Sequence, residues 1–403
     1  MCEDTVMKLF SQLLVAPAAL GLLAPLSANA SEVNISELSS YSDIDLVEEE
    51  IFDHNSFTNP LASNSNTGED FINPASFEAG GFSDTTVATQ TAQFLLSTAD
   101  GDSSLDEEAV QLEYYYGLSL DTSFTGEDNL NVAIEAGNTN STGGFYTGTV
   151  LDFGTTGGDT LKVADINYTR SFGDLSVTVG DSLDASSQFA GACAYSGFTD
   201  HLSDCGTGNT AGLGGDVTLS ASYDLGNGFV AGLGLTGLEA SGTDGLFTSE
   251  SIDAYGLQLA YSADNYGFAV SYSDIDSHSG GASVIGYNED VTLWGLNGYY
   301  TFGGPIETLS VGYEMGNPLT GNDTTNWFAG VTSSEVGPGS FSLGLGTNTH
   351  IVDGETETLI YEAAYSWDVN DSTAMTVGGY ISERADSSTE DLSGVALMTT
   401  FSF

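Results

Sequence analysis

The sequence predicts an all-β chain, a 16-stranded antiparallel transmembrane β-barrel with short periplasmic turns and long outer loops. Three observations carry that reading. From Thr85 onward, apolar side chains alternate with small or polar ones, the period-2 signature of strands. Beyond the N-terminal region no stretch reaches the roughly 18 continuous apolar residues of a spanning helix. A membrane could then be crossed only by a closed barrel, which satisfies every backbone group without water. The connections also alternate in length, short then long, as in bacterial outer-membrane barrels.

Composition limits the alternatives. The 403 residues include 57 Asp+Glu against 4 Lys+Arg, a formal net charge of -53, so nothing is available to neutralise the phosphates of a nucleic acid. The chain is 40% hydrophobic and 11% aromatic, too apolar for a solvated acidic coil. Its 51 Gly and 7 Pro suit many strands and turns. Composition alone still leaves a soluble all-β protein open.

Residues 1–30 read as a secretory signal. From Met7, Lys8 supplies the positive start, Leu9 to Leu26 is almost wholly apolar, and Ala28-Asn29-Ala30 forms a small-x-small cleavage site before Ser31. An acidic MCEDTV precedes Met7, so either Met1 or Met7 could begin the chain. Residues 31–83 are acidic and Asn/Ser-rich, with Glu48-Glu49-Glu50 and the turn pairs Asn59-Pro60 and Asn73-Pro74. They read as a weakly structured periplasmic segment or a plug for the lumen. Residues 84–403 form the barrel domain.

Sixteen strands are predicted there: 85–97, 109–124, 129–137, 161–172, 175–182, 215–224, 228–238, 251–262, 265–275, 290–302, 306–315, 324–332, 339–347, 358–367, 372–382 and 392–403. The pattern is plain in Tyr255, Leu257, Leu259 and Tyr261 against Gly256, Gln258 and Ala260, and again in Tyr266, Phe268, Val270 and Tyr272. Short turns follow the even strands, and longer connections such as 138–160, 183–214, 239–250 and 276–289 follow the odd ones. Tyr168, Phe172, Tyr223, Phe229, Tyr261, Tyr266, Phe302, Tyr365 and Trp367 gather near the short turns, as a girdle at headgroup level would. An even count returns the last strand, ending on Phe403, to the short-turn rim, where it would close the barrel.

The signal MKLFSQLLVAPAALGLLAPLSANA followed by SEVNISELSSYSD resembles the start of cyanobacterial Som-type porins, known as iron-uptake or carbohydrate-selective porins. The stretches at 122–138, 221–229 and 253–272 and the Cys193 to Cys205 loop share the likeness. The resemblance implies a trimeric, 16-stranded outer-membrane channel for small solutes and inorganic ions, ending on a strand that the assembly machinery recognises. Many members carry an N-terminal S-layer-homology domain. Only its ELSSYSD-like beginning is present here, so the resemblance does not extend to wall anchoring.

The remaining candidates are weighed residue by residue. Gly232-x-Gly234-x-x-Gly237 matches a dinucleotide fingerprint by letters, but it lies in a predicted strand with no helix to follow, and small residues facing the lumen explain it better. His54, His201, His278 and His350 fall in the tail or loops without ligand spacing, so no metal or cofactor is expected. Asp100-x-Asp102-x-Ser104-x-Asp106 lacks the Gly and Glu that a Ca²⁺ loop requires and reads as a solvated loop. Cys2 lies in the segment to be removed. Cys193 and Cys205 sit in connection 183–214, the third outward loop, which in general porins folds into the barrel. In an exported chain they are expected to form a disulfide, with two reduced thiols as the alternative.

By alternation Glu113, Glu135, Asp165, Glu314 and Glu362 face the lumen as pore-lining acids. Lys162 and Arg170 fall on the opposite parity with Ile166 and Tyr168, at the rims, and Arg384 falls in a loop. The expectation is a passive, cation-preferring pore without catalytic residues, whose partners are outer-membrane lipid, small ions and solutes, and two further copies of itself. The alternative is a structural or adhesive barrel with a blocked lumen. An exported hydrolase would need a nucleophile and base that the sequence does not offer.

Overall fold

The computed structural model describes residues 85–403 apart from 102–108, 140–149, 155, 212, 215–216, 239–251, 277–289, 305–306, 349 and 386–389. The signal at 1–30, the acidic segment at 31–83, most of the pattern beginning at Asp100, and His54 and His278 lie outside the described residues.

Seventeen strands join in one antiparallel sheet. They are β1 (Thr86–Asp100), β2 (Gln111–Thr122), β3 (Asp128–Gly137), β4 (Lys162–Phe172), β5 (Leu175–Asp181), β6 (Val217–Gly226), β7 (Phe229–Leu238), β8 (Ile252–Ser262) and β9 (Tyr266–Ile275), then β10 (Val291–Thr301), β11 (Thr308–Pro318), β12 (Thr324–Val336), β13 (Gly339–Thr347), β14 (Ile351–Val352), β15 (Leu359–Asn370), β16 (Thr373–Ser382) and β17 (Leu392–Ser402). Two short helices, α1 (Asp200–Ser203) and α2 (Gly208–Ala211), interrupt the β5–β6 connection. β14 has two residues and pairs only with Thr324 and Thr325 of β12, extending an outer loop. The other sixteen strands build the wall. β12 runs on to Val336 instead of ending at 332, the largest departure from the predicted spans.

β1 closes the ring, pairing with β2 on one side and β17 on the other. Beyond the ladder, Gln90 and Phe403 exchange both backbone hydrogen bonds, at 2.7 and 3.0 Å. Phe403 thus lies at the seam, and no wall strand is left with an open edge. Among the described residues no helix is long and apolar enough to cross a membrane.

The two faces are inverted relative to a water-soluble sandwich. Leu257 on β8 is 48% exposed while its neighbour Gln258 is 7% exposed. Leu259, Phe268, Val270, Trp294, Leu296, Val311, Tyr313 and Leu343 likewise stand outward, and Ser271, Ser273, Ser310, Asn326 and Ser342 are buried on the inside. A belt of exposed apolar side chains around a closed sheet is stable only where lipid covers it. Near the short turns the rings touch in series: Phe229 and Tyr261 at 4.6 Å, Tyr261 and Tyr266 at 5.7 Å, Tyr300 and Phe302 at 4.6 Å, and Tyr365 and Trp367 at 5.6 Å. The Tyr365 hydroxyl donates to the Val336 carbonyl in the neighbouring turn, so an apolar body ends on a satisfied polar tip.

Candidate functional site

The β5–β6 connection, residues 182–216, folds back along the inside of the wall. Two wall carboxylates hold it. Glu362 of β15 accepts the Tyr195 hydroxyl at 2.7 Å, the Phe198 and Thr199 amides at 2.8 and 2.7 Å, and the Thr199 hydroxyl at 2.5 Å. Glu314 of β11 accepts the Asn209 side-chain amide and the Thr210 amide, each at 2.7 Å, and the Thr210 hydroxyl. The first set lies at the start of α1, where Thr199 is the N-cap, and the second lies within α2. The carboxylates therefore supply acceptors to amides that such short helices cannot satisfy themselves. Cys193 and Cys205, which flank the Glu362 clasp along the chain, are joined, with Cα atoms 6.2 Å apart.

Close approach of loop to wall depends on small inward residues. At Gly312 a Cβ would stand 1.7 Å from the Cys205 carbonyl oxygen, and at Gly232 it would stand 2.6 Å from the Phe189 ring. On β7, Gly232 and Gly234 of the dinucleotide-like letters make room for the loop, a Cβ at Gly234 standing 2.4 Å from the Ala185 carbonyl oxygen. Tyr195, Leu202, Cys205, Phe328 and Ile360 pack as one apolar cluster, and Phe198 joins Leu95, Leu151, Phe153 and Tyr380 in another. Leu151 bridges Thr199, so the end of the β3–β4 connection is tied to the inward loop.

Of the five wall acids, Glu113, Glu314 and Glu362 point inward but are covered, at 1%, 1% and 2% exposure. Asp165 accepts from the Asn167 amide at 2.7 Å. Glu135 is neutralised by Lys162 at 2.8 Å. The placement of Lys162 on the outer parity is corrected here. A bulge between β3 and β4 pairs Ala133 with Asp165 but Ile134 with Val163. One residue is skipped, and Lys162 comes opposite Glu135 on the inner face. Arg170 keeps its expected position, over the Phe172 ring at 5.4 Å on the face it shares with Tyr168. Arg384 lies in the β16–β17 loop.

A second set of acids was not singled out by alternation because it sits on loops. Asp152, Asp184, Asp200 and Asp204 are open to water, and no described residue donates a hydrogen bond to their carboxylates. They are nevertheless surrounded by protein on most sides. That enclosure raises the pKa of Asp152, Asp184 and Asp200, and Asp200 and Glu362 raise Asp152 further. Asp204 is pushed up to about 7, first by the surrounding protein and then by Asp200, Asp152, Glu314 and Asp184. Water contact together with desolvation is what a group on a narrow aqueous passage experiences. The charges that act most on Asp204 are all negative. His201 adjoins Asp200, but burial lowers its pKa, so it is neutral at neutral pH. Among the described residues no group of three or more His, Cys, Asp and Glu is arranged to hold a metal.

An antiparallel barrel of sixteen strands, apolar outside and polar inside, with one connection folded into the lumen, defines the outer-membrane porin class of fold. No family model matches the chain, and no curated protein matches it. Solved structures do. The barrel is similar to OprB of Pseudomonas putida, with a TM-score of 0.60 at 10% identity, covering 79% of this chain and 94% of that one. It is also similar to a loop-deletion variant of OmpT, an outer-membrane protein of Vibrio cholerae, with a TM-score of 0.52 at 11% identity over 79% and 100% of the two chains. At such identities the likeness is one of fold.

Proposed function

We propose that the chain is an outer-membrane porin through which small hydrophilic solutes and inorganic ions diffuse passively, with preference for cations. The observation that carries the preference is the group Asp152, Asp184, Asp200 and Asp204, open to water, with carboxylates to which no described residue donates, and with Asp204 acted on most by its negative neighbours. Low-dielectric walls focus such an unbalanced field on the passage. Selectivity is greatest in dilute salt, since the Debye length is about 10 Å at 0.1 M and about 3 Å at 1 M. The secretory signal read at 1–30 and the resemblance to Som-type porins, which implies a trimer, agree with this reading.

Planar-bilayer recordings across a KCl gradient test it. A reversal potential on the cation side is expected. A potential on the anion side would overturn the preference, and reconstituted protein without conductance would favour the blocked structural barrel.

A further inference from the structure

We infer that the lumen carries a binding subsite for small primary-ammonium solutes, directly beneath the two inward connections. The inference rests on the open-pore reading above and goes beyond it by assigning a ligand class to one cavity. That cavity, of about 300 Å³, is roofed by Leu151 to Gly154 and Ser196 to Phe198 and walled by β1, β13, β15, β16 and β17. It lies on the short-turn side of the roof, because Ser366, Thr376 and Met398 sit in the halves of their strands that run to those turns.

Its lining is rich in acceptors. Asp152 supplies a carboxylate to which no described residue donates. Ser196, Ser342, Ser366 and Thr376 supply hydroxyls, and Gln93 supplies a carboxamide held only by contacts of 3.5 Å to Thr400 and Gly154. Ser366 and Thr376 already share one hydrogen bond at 2.8 Å, which leaves lone pairs on both oxygens. Phe198 and Met398 form a small apolar patch beside this polar set.

Three ligand classes can be compared on that lining. A hard divalent ion takes six or more oxygens, usually including several carboxylates, and the cavity offers one. A neutral polyol can donate to the carboxylate but brings no charge to balance it. An alkylammonium brings three donors and one positive charge to the acceptor-rich side and rests its methylenes on the apolar patch. The Asp152 carboxylate, the hydroxyls and Gln93 hold the ammonium head, and Phe198 and Met398 receive the stem.

The test uses the full-length protein in planar bilayers, with 4-amino-1-butanol added on the short-turn side and 1,4-butanediol as its neutral counterpart. The amine is expected to reduce the K⁺ current at concentrations where the diol does not. Asp152→Asn should raise its half-blocking concentration about tenfold, and Thr376→Val, which keeps the side-chain shape, about threefold. Equal block by amine and diol, or a half-blocking concentration unchanged in both variants, would overturn the subsite. If the unsubstituted channel leans to cations but shows no block by the amine, the subsite fails and the porin reading stands. An anion-leaning reversal potential refutes the cation preference and the subsite with it.

Discussion

Glu314 and Glu362 on the wall carry the same charge as Asp152, Asp184, Asp200 and Asp204 on the connections, and all six lie inside one barrel. They differ in what their oxygens accept. Each wall carboxylate takes at least three hydrogen bonds from the inward loop, whereas the loop aspartates take none from described residues. A carboxylate saturated by donors is fixed and shielded, and it acts as a structural acceptor. One that faces water within protein walls projects its field into the passage. Of the five inward acids that strand alternation picks out, Glu314 and Glu362 are thus a mounting for the loop; Asp184, Asp200 and Asp204 are carried on what is mounted, and Asp152 on the connection tied to it.

The strongest way to break this contrast is to remove a clasp. Glu362→Ala leaves the Tyr195 hydroxyl and the Phe198 and Thr199 amides without their acceptor. Each unsatisfied buried group costs about 1–3 kcal/mol, enough together to release that stretch of loop. The expected outcome is a wider, noisier channel in single-channel recordings and new protease cleavage between Cys193 and Cys205. Unchanged conductance and an uncut loop would show that the clasp does not hold it.

Neutralising the other set tests the field itself. Asn at 152, 184, 200 and 204 together should lower the K⁺ over Cl⁻ permeability ratio several-fold at about 0.1 M salt, with a much smaller effect at 1 M. Unitary conductance should change far less than in Glu362→Ala. A ratio unaffected at low salt would move the source of selectivity elsewhere.

A smaller effect follows from Asp204 alone. With its pKa raised to about 7, it is charged above that pH and protonated below it. Cation preference should therefore decline as pH falls from 8 to 6, and Asp204→Asn should flatten the profile in that window. The smallest effect concerns the bridge. Replacing Cys193 and Cys205 by Ser removes a constraint on a separation of 12 residues, on the order of 3 kcal/mol against the unfolded chain by loop entropy. With both clasps intact, open-channel conductance should hardly change, while thermal unfolding in detergent should shift downward. A conductance rise as large as that of Glu362→Ala would mean that the disulfide, not the carboxylates, keeps the loop in place.

Much of the wall was legible because a strand in a barrel meets lipid on one side and the lumen on the other at every second residue. Tyr255, Leu257 and Leu259 had to be apolar together, whatever the rest of the chain did, and the short turns had to alternate with long connections. The same reasoning failed at Lys162. It counts parity along a single strand, and the skipped residue opposite Ala133 and Ile134 is a property of the pair. It also passed over Asp152, Asp184, Asp200 and Asp204, since irregular connections have no period from which a direction can be read.

By itself, then, the sequence determined the strand count, the outward apolar belt, and the return of Phe403 to the short-turn rim, because period and turn spacing are local and repeat along the chain. Only the tertiary structure decided that Phe403 meets Gln90, that Glu314 and Glu362 serve the loop, and that the exposed acids stand on it and on the connection tied to it. Those outcomes depend on residues more than a hundred positions apart being brought within hydrogen-bond reach by closure of the barrel.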